Sequence, residues 1–140
     1  MTQDFSKRFA IVLRSDIEAW QTMNAACHIA ARLGRAVGEF DTGEKFTTKN
    51  GFSFPRNSQY PIIIFKTKEN KVLQKMLEEL RVLDIPYLAF IREMIDFTDD
   101  AELQKSLDHK SETELEYLGV GVFGDNEILK KLTKKFSLWK

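Results

Sequence analysis

The segment from Phe9 to Gly34 constrains the fold more than any other part of the chain. It opens with a continuous apolar run that ends in charge at Arg14, which is typical of a strand covered on both faces. Asp16 then fits the N-cap of a helix that we expect to run to Leu33 and to stop at Gly34. Because the helix is rich in alanine, it can lie close to a sheet. This strand, turn and helix predict an α/β domain.

Three further buried-type strands and three further helices complete the predicted pattern. The strands are Pro61–Lys66, Tyr87–Ile91 and Tyr117–Phe123, and the helices are Glu69–Leu83, about Asp100–Asp108 and about Asp125–Phe136. Strands that alternate with helices are the order expected of a three-layer domain. We therefore predict a single domain over residues 1–140. Its expected architecture is α/β/α, with a small mixed, mainly parallel four-stranded sheet.

The sequence KFTTKNGFSF predicts a hairpin away from that sheet. Asn50-Gly51 lies between two runs that carry phenylalanine, a pattern typical of a type I′ turn. A hairpin of this kind presents an exposed strand edge. Self-association as a homodimer through the hairpin is therefore one hypothesis for its role.

Composition and charge exclude several classes of protein. The 21 basic and 21 acidic residues give no net charge, so no global field attracts nucleic acid or anionic lipid. With one cysteine, Cys27, and two histidines, we expect no disulfide framework, no zinc site and no other metal site. The amino-terminal residues carry no apolar signal core, and no apolar run approaches the roughly 20 residues that span a bilayer. We expect a cytoplasmic protein without a membrane segment.

Two further patterns each allow more than one interpretation. The lysines at positions 130, 131, 134 and 135 form the one concentrated basic patch, which either solvates a helix or contacts RNA. GVGVFG, from Gly119 to Gly124, formally matches a dinucleotide-binding pattern. Its first glycines lie within the strand, and no acidic residue that could bind a ribose follows beyond Glu127. We therefore expect no nucleotide cofactor, and we expect no other cofactor. Close helix packing explains these glycines better.

Polar residues at the ends of two strands form the candidate site. Asn24 and His28 are one helical turn apart, and Asp16 lies in the turn after the first strand, where α/β folds commonly bind ligands. His28 could act as an acid or base, and Asn24 could orient a carbonyl or phosphate group. The candidate catalytic residues are His28 and Asn24, and the candidate ligand-binding residues are Asp16, Trp20, Asn24, His28, Arg92 and Glu93. Solvation of an exposed helix face is the competing interpretation.

Several of these features resemble the type II peptidyl-tRNA hydrolases over nearly the whole chain. The resemblance is carried by Arg14-Ser15-Asp16 between strand and helix, the Ala25-Ala26 pair, the Ile85-Pro86 approach to a strand, and LGVGVFG before the last helix. It implies a mixed four-stranded sheet with helices on both sides. The family pattern Gly-Lys-x-Ala-Ala-Gln-x-x-His-Ala aligns with residues 22–31. Met23, Cys27 and Ala30 stand where that family has its lysine, glutamine and histidine.

A second resemblance is to the bacterial family known as domain of unknown function 2000. Its hallmarks are Trp20 followed by Asn24-Ala25-Ala26, the GVGVFG strand, and the ending Phe136-Ser137-Leu138-Trp139-Lys140. That family brings no assigned activity. The leading hypothesis is a protein on a hydrolase-like scaffold that binds a small ligand or partner. The alternative is an enzyme that cleaves an ester or amide with His28 as base.

Overall fold

The computed structural model describes residues 3–40 and 45–140. Strands and helices alternate along most of the chain, with a 3-10 turn at Glu112–Glu114. The elements in chain order are β1 (Lys7–Arg14), α1 (Ala19–Val37), β2 (Phe46–Thr47), β3 (Ser53–Phe54), β4 (Ile62–Thr67), α2 (Asn70–Arg81), β5 (Tyr87–Ile91), α3 (Glu93–Asp96), α4 (Asp100–Leu107), β6 (Tyr117–Asp125), α5 (Asn126–Thr133) and β7 (Ser137–Leu138).

The main sheet is mixed and has the order β5-β6-β1-β4-β7 in the described residues. The prediction of four mainly parallel strands was wrong in two respects. The sheet has five strands, because Ser137–Leu138 adds β7 beside β4. Among the strands of the described residues, only β1 and β4 of this sheet pair in parallel. Strand β6 pairs antiparallel with both β1 and β5, and β7 pairs antiparallel with β4. A two-residue strand carries too little periodicity to be recognised in a sequence.

Helices cover both faces of this sheet, so the predicted three-layer arrangement is confirmed. On one face, Ile29 and Leu33 of α1 pack with Phe9, Ile11 and Phe123. On the other face, α2 and α5 cover the second cluster, whose fully buried members include Leu73, Met76, Leu80, Val120 and Leu129. The alternation of side chains along β1 divides its residues between the two clusters.

The glycines of β6 allow α1 to approach the sheet closely. A Cβ atom at Gly121 would lie 2.1 Å from Cγ2 of Ile29, and one at Gly119 would lie 2.8 Å from Cδ2 of Leu13. A side chain at Gly121 would therefore displace Ile29 of the helix, and one at Gly119 would displace the side chain of Leu13 and crowd Ile29. This confirms the packing interpretation of the GVGVFG segment.

The helix boundaries differ from the prediction at both ends of α1. Glu18, not Asp16, occupies the N-cap position, and the helix continues past Gly34 to Val37. It ends at Gly38, whose φ of 85° is the left-handed conformation that glycine adopts at low cost. Asp16 does not cap α1 because Arg14 engages its carboxylate. By contrast, Asp125 caps α5, because its side chain accepts hydrogen bonds from the backbone N–H groups of Glu127 and Ile128.

The predicted hairpin is present, but its turn is not type I′. Phe46 pairs with Phe54, and Thr47 pairs with Ser53. Type I′ needs a positive φ at both central residues, whereas no described residue other than a glycine has a positive φ. The N–H of Gly51 donates to the carbonyl of Thr48 at 3.0 Å, and Gly51 has a φ of 85°. This is the three-residue loop in which a glycine forms a G1 bulge.

None of the helices in the described part of the chain combines the length and apolar content needed to cross a membrane.

Candidate ligand-binding cleft

A cleft of about 790 Å³ lies along the exposed side of β5, between α1 and the α3–α4 segment. The imidazole of His28 stacks on the ring of Phe90, with 5.1 Å between the ring centroids and 22° between the planes. The lining residues combine an apolar surface with a few polar groups: His28, Arg32, Leu88, Phe90, Met94, Phe97, Thr98, Asp100, Leu103 and Gln104. We refer to this feature as the His28 cleft.

Helical and strand periodicity bring these side chains together. His28 and Arg32 are one turn apart on α1, so both line the same wall. Leu88 and Phe90 are two residues apart on β5 and therefore lie on the same face of the strand, towards α1. Both pack with the core cluster under that helix. The opposite wall is α4, whose first turn is fixed by Asp99, which accepts hydrogen bonds from the N–H groups of Ala101 and Glu102.

The cleft has the properties of a binding site for a small molecule. Its volume falls in the range of about 300–1,000 Å³ that ligand pockets occupy, and most of its lining is apolar. The cationic side chain of Arg32 lines the α1 wall, and the carboxylate of Asp100 lines the α4 wall. An aromatic or otherwise flat molecule can lie against the exposed His28 ring, with its polar groups near Arg32 or Asp100.

A second polar cluster joins the carboxyl ends of β1 and β5. Arg14 donates two hydrogen bonds of 2.7 Å to the two carboxylate oxygens of Asp16. Arg92 Nη2 donates to Glu116 Oε1 at 3.0 Å, and Arg14 Nη1 lies 3.9 Å from the same oxygen. The four side chains therefore form one network of two cations and two anions, which we call the arginine network.

The arginine network keeps both of its carboxylates charged. The hydrogen bonds from Arg14 lower the pKa of Asp16, and those from Arg92 lower the pKa of Glu116. Arg14 is buried, and its Nη1 also donates to the carbonyl of Tyr117 at 3.3 Å. The two positive and two negative charges of the network balance one another, and its hydrogen bonds join the ends of three strands.

The structure distributes the six predicted site residues over several places. His28 lines the cleft, whereas Asp16 and Arg92 belong to the arginine network. Asn24 is exposed on α1, one turn before His28. Trp20 is exposed, and its indole N–H donates to Glu18 at 2.8 Å. Glu93 is 3% exposed and pairs with Lys110, and its Oε2 has no hydrogen-bond partner among the described residues.

Sequence reasoning missed four residues that shape these sites: Arg14, Arg32, Phe90 and Glu116. Arg32 was recognisable, because it follows His28 by four residues on the same helix. Nothing in the sequence marked Phe90 as a site residue, since an aromatic residue within an apolar strand is expected to lie in the hydrophobic core. Glu116 lies in a polar segment whose partner, Arg92, is distant in sequence. Within residues 3–40 and 45–140, no three histidine, cysteine or acidic side chains gather as metal ligands.

These features define the class of protein: a mixed α/β domain with helices on both faces of a five-stranded sheet and a cleft beside its edge strand. The chain matches the family described as "Protein of unknown function (DUF2000)" over residues 7–140, and it belongs to that family. The fold is similar to that of the protein of unknown function Atu0240 from Agrobacterium tumefaciens strain C58. The TM-score is 0.81 and the identity 26%, over 98% of this chain and 100% of that chain. No curated protein matches the chain.

Proposed function

We propose that the protein binds a small ligand with an aromatic or flat group in the His28 cleft. The observation that carries this proposal is the exposed side chain of His28, which lines a cleft of about 790 Å³. Its ring stacks on the buried ring of Phe90, which holds the imidazole in place, so the aromatic surface available to a ligand is that of His28. Arg32 supports binding of an anionic substituent, because no ion pair engages it in the described residues.

A panel of fluorinated aromatic acids, amines and amides, followed by ligand-observed NMR, tests this proposal. In protein-observed spectra recorded alongside, compounds that bind in the cleft should shift the ring-proton resonances of His28. His28→Ala removes the stacking ring and should weaken the binding of these compounds about tenfold. Arg32→Ala should weaken the binding of the acids more than that of the amides. Cys27→Ser is the matched control, because Cys27 is exposed on the same helix but does not line the cleft.

Two outcomes would contradict binding in this cleft. One is that no member of the panel binds at millimolar concentration. The other is that compounds bind equally well to the wild type and to both cleft variants, which would place their site elsewhere.

Hydrolysis of an ester or amide, as in peptidyl-tRNA, is the second candidate. It is supported by the exposure of His28 in the cleft and by Asn24 one turn away on the same helix. His28 would act as general base, and Asn24 would stabilise the oxyanion. It ranks second because no described carboxylate hydrogen-bonds to the His28 ring to orient it, and because Met23, Cys27 and Ala30 replace the residues that the type II peptidyl-tRNA hydrolases use.

Single-turnover release of an N-blocked amino acid from its tRNA tests the hydrolase candidate. If it is right, His28→Ala and Asn24→Ala abolish release while their melting temperatures stay close to that of the wild type, since both side chains are exposed. Absence of release at high protein concentration would remove this candidate. The proposed kinship with the peptidyl-tRNA hydrolase scaffold would then concern the fold alone.

A cytoplasmic location is also part of the proposal. It is supported by Cys27, an exposed free thiol, which suits a reducing compartment.

A further inference from the structure

We propose that a second site, on the opposite face of the sheet from the His28 cleft, binds a small amphipathic anion such as a carboxylate or phosphate monoester with an aliphatic tail. This site is a groove of about 370 Å³ between α5 and the β4–β7 edge, which we call the basic groove. Its floor is apolar and consists of Ile63, Phe65, Phe136 and Leu138. Its rim carries Arg8, Lys130 and Lys134.

The register of the strands creates the groove. Leu138 of β7 pairs with Phe65 of β4, so both side chains lie on the same face of the sheet. Arg8 shares that face, since it alternates with Phe9 along β1. Lys130 of α5 and Lys134, the C-cap residue of that helix, are one turn apart and therefore both lie beside the groove. The helix covers β1 and β6 and leaves the outer strands partly open.

The charged side chains that line the groove are all cationic. Among the described residues, no carboxylate contributes to its lining. The guanidinium of Arg8 donates to the amide oxygen of Asn126, a neutral partner that leaves the positive charge uncompensated. Lys134 makes no ion pair among the described residues. Lys130 lies 3.2 Å from Glu127, but both side chains are largely exposed, and such pairs contribute little.

The floor selects an aliphatic tail over a nucleic acid base. Leu138 is 46% exposed, so a tail lying on it would remove apolar surface from water. The Phe65 and Phe136 rings are tilted by 52° with centroids 6.4 Å apart, so they form no flat platform for bases. Lys135 Nζ lies 5.5 Å from the centroid of the Phe136 ring and interacts with that ring. The combination of cationic rim and aliphatic floor fits one anionic head with one tail.

Calorimetric titration with four matched amphiphiles, all below their micellar concentrations, tests the proposal. Octanoate and octyl phosphate should bind, whereas octylamine and octyl glucoside should not. Lys134→Ala should weaken the binding of octanoate about tenfold through loss of a charged contact. Leu138→Ser should weaken the binding of octanoate about fivefold through loss of apolar contact. Lys131→Ala is the matched control, because Lys131 has the same charge on the same helix but does not line the groove.

Four results would overturn the proposal. Equal binding of octyl glucoside would show that charge has no part in recognition. An equal effect of Lys131→Ala and Lys134→Ala would show a diffuse electrostatic attraction rather than a groove. Binding to phosphatidylglycerol vesicles without binding of monomeric octanoate would assign the surface to a membrane. Tighter binding of oligouridylate, sensitive to Lys134→Ala, would assign it to RNA.

Discussion

At the scale of single residues, Arg14 shows how a buried charge decides local geometry. Its side chain is 9% exposed, and burial of an arginine is costly unless its N–H groups find acceptors. Asp16 supplies two of them, and the carbonyl of Tyr117 supplies another. This demand outweighs the tendency of an aspartate before a helix to cap it, which is why α1 begins only at Ala19.

Asp16→Asn should therefore destabilise the protein by about 1 kcal/mol near neutral pH, a value kept small because Asp16 is partly exposed. The hydrogen bonds from Arg14 lower the pKa of Asp16 in the folded state. The stabilisation is thus present above the unfolded pKa of about 3.9 and is lost as the pH falls through the folded pKa. Urea unfolding of both proteins across this range should show the difference shrinking towards low pH. An exposed control, Asp84→Asn, should show little difference at any pH.

Gly121→Ala should destabilise the protein by about 2 kcal/mol through overpacking, because the new Cβ would lie 2.1 Å from Cγ2 of the buried Ile29. Gly124→Ala is the control, since its Cβ would meet Ile85 no closer than 3.4 Å. Adding Ile29→Leu, which removes the clashing methyl group, should recover part of the loss. Thermal and denaturant unfolding measure the stability of Gly121→Ala, Gly124→Ala and the double variant Gly121→Ala with Ile29→Leu. Unchanged stability of Gly121→Ala would mean that α1 moves away from β6 at no cost.

At the scale of elements, the position of Gly34 inside α1 gives a stabilising change. A Cβ there would lie 3.7 Å from the ring of Phe40, which is an ordinary van der Waals contact. Glycine within a helix costs up to about 1 kcal/mol relative to alanine. Gly34→Ala should therefore raise the free energy of unfolding by about 0.5–1 kcal/mol in urea titrations. Gly38→Ala, at a φ of 85°, should instead lower it. A loss of stability in Gly34→Ala would contradict the packing around this turn.

The order and type of most elements were accessible from the sequence, because the long strands are continuous apolar runs and α2 and α5 have strong helical periodicity. Strand direction was not accessible. The antiparallel insertion of β6 between β5 and β1 depends on contacts between segments far apart in sequence. The turn of the hairpin was also misjudged, since Asn50-Gly51 suits both a two-residue and a three-residue loop.

The candidate site was only partly accessible for a related reason. A polar residue on the exposed side of α1, such as His28, stands out in a helical pattern. Its stacking partner Phe90 belongs to another element and is indistinguishable from core residues of β5. The arginine network likewise joins Arg14 to Glu116 across most of the chain. Such pairs become visible only once the strands are placed side by side.

At the scale of the whole molecule, the β2–β3 hairpin carries a cluster of exposed aromatic side chains. Phe46, Phe52 and Phe54 are 41%, 67% and 42% exposed. Clustered exposed aromatic side chains favour association. We expect concentration-dependent dimerisation, detected by size-exclusion chromatography with light scattering, and expect Phe52→Ser to reduce it. Lys49→Ser in the same loop is the control. A monomer at every concentration would contradict self-association through the hairpin.

The placement of β6 also bears on how the protein is made. This strand lies between β5 and β1, and its register joins Lys7 to Asp125. A chain leaving the ribosome can pair β1 with β4 early, but β1 and β5 then wait for β6, which is synthesised after both of them. Contacts of such long sequence separation slow folding and prolong the exposure of unpaired edges. Nascent chains of this protein should therefore depend on chaperones until β6 has emerged.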